Sequence, residues 1–433
     1  MIENKIVLIQ LPSPWLISDR DVPNLGLLYI ASYLQSKEII VQIADLCGRK
    51  EEDWQIPDSN IYGISATTPQ IKLAKKVVEK IKNRQRFSKI IIGGPHVSAI
   101  PEDGINYVGA NIVVMGEGEI SLEQIIKEEN NNSIITGTPL LTLDKSPLPA
   151  RDLIDIYSFQ RMGTNAVVGR NAHTEEYILT SRGCPYRCGY CSQRVISNGK
   201  IRYRSVKDVR KEMEYLLYRY NLDRIYIMDD TFILNKERVK EICLSIKELL
   251  EKYSFDWHCL STTKSINKEI LIEMKESNCK QVTFGVESGS NKILKLVNKP
   301  STNEDNHRGI EETINSGIQV RGQLMVGLPG ETDETIRETE NLIKFYPEVR
   351  WGVHIFVPMP GSEIWDFPEK FNFKFIKSTD WDNYHTIGKP GEWSAQHLHI
   401  NSEQVVMWAE HLRDVAGKKN VYEYDQRRNQ NEV

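Results

Sequence analysis

The chain has 433 residues, 40% of them apolar and 26% charged, with a net charge of −4 from 55 basic and 59 acidic side chains. That length exceeds one ordinary core and predicts two domains plus a tail, and the near-balanced charge offers no electrostatic case for a nucleic-acid partner. No apolar run approaches the ~20 residues of a membrane span, and the N-terminal MIENKIVLIQLPSPW reads as a strand rather than a signal peptide, so a cytoplasmic protein is expected.

Residues 1–127 alternate strands and helices. Apolar strands are predicted at Lys5–Leu11, Ile39–Ala44, Ile61–Ser65, Lys89–Ile92 and Ile112–Met115, with helices at Leu25–Gln35 and Gln70–Asn83. Short apolar strands separated by helices argue for a parallel sheet covered on both faces. Turn residues follow the strands: Pro12–Pro14, Ala66–Pro69 (with Thr67 and Thr68), Gly93-Gly94-Pro95 before His96, and Gly116-Glu117-Gly118. Ligands of open α/β sheets bind outside the carboxyl ends of the strands, where glycine admits close approach. The expectation is a Rossmann-like domain for a bulky ligand, and the absence of G-x-G-x-x-G after the first strand counts against a dinucleotide.

Residues 128–175, with polar EENNNS and proline-bearing SPLPARDL, read as a plain surface linker. A second βα series occupies 176–365. Strands are predicted at Tyr177–Thr180, Arg224–Met228, Asp256–Leu260, Gln281–Gly285, Gln319–Val326 and Arg350–Phe356. Helices near Val206–Tyr220, Asn235–Tyr253, Lys268–Ser277, Asp305–Ser316 and Thr332–Phe345 separate them. Six such units suit an open partial (β/α)6 barrel, whose chemistry belongs in the loops at the strand C-termini. Residues 366–433 form a C-terminal extension whose WDNYHTIGKPGEWSAQHLH (381–399) either lines a substrate pocket or packs the open end of the barrel.

The loop after the first barrel strand, SRGCPYRCGYCSQ, carries Cys184, Cys188 and Cys191 in C-x3-C-x2-C spacing. Thiolates ligate iron–sulfur clusters, and three of them leave one iron of a [4Fe–4S] cluster open to another ligand. Zinc is the alternative, but it wants a fourth Cys or His nearby, and none lies between Gln193 and Cys243. Cys47, Cys243, Cys259 and Cys279 read as buried packing thiols.

CPYRCGYC resembles the cluster motif of radical S-adenosylmethionine (SAM) enzymes, and MDDTF (228–232), FGVESGS (284–290) and MVGLPGET (325–332) resemble their other barrel segments. VPNLGLLYIASYL, YGISATTPQ, IIIGGPHVSAIPE and VVMGEGEISLEQII resemble the cobalamin-binding domain that precedes the barrel in one subgroup, so the likeness spans roughly residues 5–365. It implies that Cys184, Cys188 and Cys191 ligate the cluster and that SAM chelates its open iron. Tyr190 would flank the adenine, with Gly327, Pro329 and Pro358 near the adenosyl group. Glu287, Ser288 and Arg321 would serve the ribose or methionine moiety, and Asp230 a polar group of SAM or substrate. A structural ion pair for Glu287 and Arg321, and helix capping for Asp229 and Asp230, are the competing readings. Thr67, Thr68, Gly93, Gly94, Pro95, His96, Gly116, Glu117 and Gly118 would surround cobalamin. The D-x-H-x-x-G motif of histidine-ligated cobalamin is replaced by DLCGRK, with Cys47 at the histidine position, so the cobalt's lower face stays unassigned.

The resemblance further implies reductive cleavage of SAM to a 5′-deoxyadenosyl radical and, with cobalamin, C-methylation of an unactivated carbon in a small metabolite or natural-product intermediate. An external one-electron reductant such as flavodoxin or ferredoxin would be the partner. The alternatives are a ring-forming or ring-rearranging enzyme with the same cofactors, and a non-catalytic cobalamin carrier or sensor.

Overall fold

The computed structural model describes residues 5–14, 16, 19–20, 22–128, 132–161, 174–375, 377, 379–384 and 402–417. Two six-stranded parallel sheets organise it. The first has strands β1 (Lys5–Gln10), β2 (Ile40–Asp45), β3 (Ile61–Ser65), β4 (Lys89–Gly93), β5 (Ile112–Met115) and β6 (Ile134–Thr136), in the order β2-β1-β3-β4-β5-β6. The chain reverses direction of travel between β1 and β3, the switch point at which open sheets bind ligands. Strands such as KIVLIQ are buried along almost their whole length because helices cover both faces. The helix Ile71–Arg84 shows how: Ile71, Ala74, Val77, Val78 and Ile81 form its buried stripe, at the i, i+3, i+4 spacing of one helical face.

The second sheet runs β14-β13-β12-β11-β10-β7, with β7 (Glu175–Ile178), β10 (Arg224–Ile227), β11 (Asp256–Ser261), β12 (Cys279–Glu287), β13 (Gln319–Val326) and β14 (Arg350–Ile355). A two-stranded antiparallel ribbon, β8 (Ser181–Arg182) with β9 (Arg202–Tyr203), stands beside it. Sequence order equals spatial order from β10 to β14, and β7 and β14 do not pair, so the barrel is open. Its helices start on side-chain caps: Ser205, Asn235, Asn267, Thr302 and Thr332 each accept a hydrogen bond from the first turn. The helix Ser402–Ala416 covers the β14 edge, burying Val405, Trp408, Ala409 and Leu412, while Arg413 donates to the Val353 carbonyl at 3.0 Å.

Two expectations are corrected. Residues 128–175 are not a plain surface linker: β6 pairs in parallel with β5, and Arg151 is 1% exposed. Arg151 donates to Glu176 at 2.9 Å, Glu212 at 2.8 Å and the Tyr177 carbonyl at 2.7 Å, welding the connector under the barrel. The described part of 381–399 packs on the first domain instead of lining the barrel. Trp381 stacks edge-on to His96 at 4.9 Å and joins Trp365 and Tyr384 in that domain's core. Residues 385–399 of that motif lie outside the described residues.

Candidate functional site

The β8–β9 ribbon closes the neck of the cysteine loop, with Arg182 opposite Arg202. Asp229 anchors its start. The buried carboxylate accepts from the Thr180 amide and hydroxyl, both at 2.6 Å, and from the Ser181 amide (3.1 Å) and hydroxyl (2.6 Å). Burial pushes its pKa up against those bonds. Helix capping is therefore not its role. Asp230 accepts from Gln193 Nε2 at 2.6 Å, tying strand β10 to the far side of the loop. Gly183 is obligatory: its φ is +96°, and a Cβ would lie 2.1 Å from the Lys200 carbonyl. The backbone of Gly189 bonds on both sides, its N–H to Val297 O at 2.8 Å and its carbonyl from Ile364 N at 2.9 Å.

Cys184, Cys188 and Cys191 are free and half-buried, and burial pushes each thiol up, Cys191 to about 11. Metal binding would deprotonate them. Three thiols within one short loop can each hold a separate iron of a cubane, whereas a structural zinc wants a fourth protein ligand. The donor set therefore fits a three-thiolate cluster.

Glu287 stands beside this loop at a register irregularity of β12, with φ +66°. Its Oε1 accepts from Tyr190 Oη at 3.1 Å and Lys299 Nζ at 3.0 Å, and Lys299 also reaches Tyr190 Oη at 3.2 Å. Gly285 makes the room: a Cβ there would sit 2.6 Å from the Glu287 carboxylate and 3.1 Å from the ammonium. Burial works against the Lys299 charge, yet Glu287 and Cys188 hold its pKa above the ordinary value. Lys299, which sequence reasoning missed, lies in an unremarkable VNKP segment. Only the fold brings it to Glu287, 12 positions away in the chain.

Arg321 is not that partner. It pairs in register with Thr283, whereas Leu324 stands opposite Glu287, so Arg321 sits about 10 Å lower in the barrel at ~3.3 Å per residue. Burial lowers its pKa, with Tyr226 and Arg350 as the charge neighbours. Ser288 is fully buried, accepting from the Ser290 amide at 3.1 Å and facing the Thr339 hydroxyl at 3.3 Å, and so serves the fold. Tyr190 packs against an apolar cluster that includes Leu328, which lies between Gly327 and the buried Pro329 in the chain, and Phe356, two positions before Pro358. Gly327 N–H donates to the buried Glu331 at 2.5 Å.

A cavity of about 300 Å³ runs between the first sheet and the cysteine loop. The first domain lines it with Gly63, Gly93, Gly94, Pro95, Gly116, Glu117 and Gly118; the barrel lines it with Ser181, Arg182, Gly183, Gln193 and Asp230. Gly94 has φ +101°, and a Cβ would meet the Ala66 carbonyl at 2.7 Å. The glycines open the wall between apolar side chains such as Leu8, Leu27, Ile91 and Val114, and the cavity has the size of one part of a bulky cofactor such as cobalamin, not of the whole molecule. The lining carries no histidine or cysteine. Thr67, Thr68 and His96 are not among its wall residues. Thr67 forms a capping box with Gln70, and buried His96 bonds Thr68 at 3.3 Å and Asp103 at 3.1 Å. Cys47 also lies off the cavity, buried beneath Gln10 Nε2 at 3.4 Å, and burial raises its pKa strongly.

The fold and site define a two-domain α/β protein in which glycine loops of the first sheet and the two ends of a three-thiol loop line one cavity. The B12 binding domain model matches residues 18–126 and the Radical SAM superfamily model residues 178–343. The chain belongs to the radical SAM enzymes that carry a B12-binding domain. It is 29% identical to an uncharacterized methyltransferase of Pyrococcus horikoshii over 88% of this chain and 85% of that one. It is 24% identical to the anaerobic magnesium-protoporphyrin IX monomethyl ester cyclase of Rubrivivax gelatinosus, over 72% of this chain and 61% of that one. In fold it is similar to the radical SAM methyltransferase TsrM of Kitasatospora setae, solved with cobalamin and a [4Fe–4S] cluster; the TM-score is 0.65 at 17% identity, covering 84% of this chain and 74% of that one. Among the described residues no helix is long and apolar enough to cross a membrane.

Proposed function

We propose that this protein is a cobalamin-dependent C-methyltransferase of the radical SAM class, acting on an unactivated carbon of a small metabolite or natural-product intermediate. The observation that carries this reading is the shared cavity, whose walls join the glycine loops of the first sheet to the cysteine loop of the barrel. When bound, the cluster supplies the electron that cleaves SAM, and cobalamin carries the methyl group. Cys184, Cys188 and Cys191 would hold the cluster. The Glu287–Lys299–Tyr190 group presents both charges beside it, suited to the zwitterionic methionine end of SAM. Gly93, Gly94, Gly116 and Gly118 would admit the corrin to the backbone. Inside the barrel, His354 is kept neutral by burial and by Arg321, its pKa near 4, and its Nε2 lies 2.7 Å from Gln323. Both can hydrogen-bond a substrate without adding charge. A low-potential donor such as flavodoxin or ferredoxin would supply electrons.

Incubating the reduced protein with SAM and hydroxocobalamin should yield S-adenosylhomocysteine and 5′-deoxyadenosine. Cys188→Ala should abolish 5′-deoxyadenosine and the visible absorption of the cluster; its survival would sink the reading and favour a cobalamin carrier. A ring-forming reaction, supported by the cyclase relative, predicts 5′-deoxyadenosine without S-adenosylhomocysteine.

A further inference from the structure

We propose that the ionic seam of Arg182 and Arg202 with Glu117 and Glu119 is a positioning device that fixes the separation between the cysteine loop and the cobalamin cavity. The inference rests on the functional reading above. Its starting point is the neck of the loop, where Arg182 and Arg202 face each other across β8 and β9. Both reach into the first domain. Arg202 grips Glu117 with two nitrogens, one of them at 3.0 Å from Oε2, and donates to the Leu140 carbonyl at 2.5 Å. Leu140 N–H returns a bond to Glu117 Oε2 at 3.1 Å. Arg182 meets Glu119 at 2.7 Å and Glu117 at 3.6 Å, and its guanidinium lies 4.9 Å from the centre of the Tyr29 ring.

Glu117 stands between Gly116 and Gly118 on the cavity wall, and Arg182 flanks Gly183 on the opposite wall. The two cofactor sites are thus joined by four side chains that are 4–17% exposed. Both carboxylate oxygens of Glu117 are engaged by Arg202, and one also by Leu140, so this residue holds the seam rather than a cofactor. Apolar packing is non-directional and tolerates sliding. A forked arginine–carboxylate pair fixes angle as well as distance, and breaking a buried one leaves an uncompensated charge. Arg204 extends the seam, bonding Tyr29 Oη at 3.2 Å and pairing with Glu212, the acceptor of Arg151.

The test is pulsed EPR distance measurement between the reduced cluster and cob(II)alamin in the wild type, Glu117→Gln and Glu119→Gln. Iron content should be retained in the variants, because no cysteine is touched, and cobalamin content is measured alongside so that each distance is read on protein that holds both cofactors. The distance distribution should broaden or shift, and the ratio of 5′-deoxyadenosine to S-adenosylhomocysteine should change by about tenfold, since misplacement near 1 Å has effects of this order or larger. Swapping the charges, Arg182→Glu with Glu119→Arg, should narrow the distribution again. Should Glu117→Gln not fold, Arg202→Lys keeps the charge but loses the fork and carries the same expectation. An unchanged distribution in these variants overturns the proposal, as does loss of the cluster alone. A wild type that binds no cobalamin or cleaves no SAM overturns the functional reading instead.

Discussion

The two domains solve the same problem, holding a large reactive group at the carboxyl edge of a parallel sheet, by opposite means. The first removes side chains: Gly93, Gly94, Gly116 and Gly118 leave bare backbone on the cavity wall. The second adds charged side chains and pays for their burial with partners, as in Asp229 under four donors or Lys299 between Glu287 and Tyr190. A wall of backbone suits a bulky ligand recognised by shape. A wall of paired charge suits a small zwitterion and a cluster whose surroundings must keep their electrostatics when water leaves.

The contrast can be broken most forcefully on the charged side. Lys299→Met leaves Glu287 buried without its cation, for which removal of one partner of a buried pair costs about 3–5 kcal/mol. Chemical denaturation should register that loss, together with weaker SAM binding in equilibrium dialysis, while cobalamin retention stays at the wild-type level. The bare-backbone side should respond in the complementary way. Gly94→Ala places a Cβ 2.7 Å from the Ala66 carbonyl at φ +101°, a strain of about 1–3 kcal/mol. It should lower cobalamin affinity and leave the iron content intact. Iron loss with unchanged cobalamin binding would reverse the assignment of the two walls.

A pH-dependent effect concerns Glu331, whose carboxyl burial raises from an ordinary 4.5 to about 8, against the hydrogen bonds of the Gly327 and Leu328 amides. Below pH 4.5 the group is protonated in both folded and unfolded chains. Between 4.5 and 8 the unfolded chain loses its proton first, so the folded chain binds more protons and stability falls as pH rises. Glu331→Gln should flatten that part of the melting-temperature profile and gain most over the wild type near pH 8. Parallel profiles for the two proteins would refute the shift.

Much of this was legible in the chain. Strand and helix positions followed from apolar periodicity, and the helix Val206–Tyr220 falls where the pattern places it. The cysteine spacing pointed to a cluster because three thiols in one short loop can hold three irons of it. Glycines after β4 and β5 marked the cavity because only glycine tolerates such backbone. Residues acting through partners distant in the chain were not legible. The linker reading of 128–175 weighed its prolines and polar run, yet Arg151 finds Glu176 and Glu212 there. Arg321 looked eligible by strand, but its register puts it below Glu287.

The sequence by itself determined which elements form, in what order, and which loop carries the thiols, since these depend on local periodicity, turn chemistry and ligand spacing. Only the tertiary structure decided that Lys299 and not Arg321 pairs with Glu287, that His96 and Cys47 lie away from the cavity, and that Arg182 and Arg202 lock two domains together. Those outcomes depend on strand register and on the burial of charge. Both are set by the packing of the whole chain.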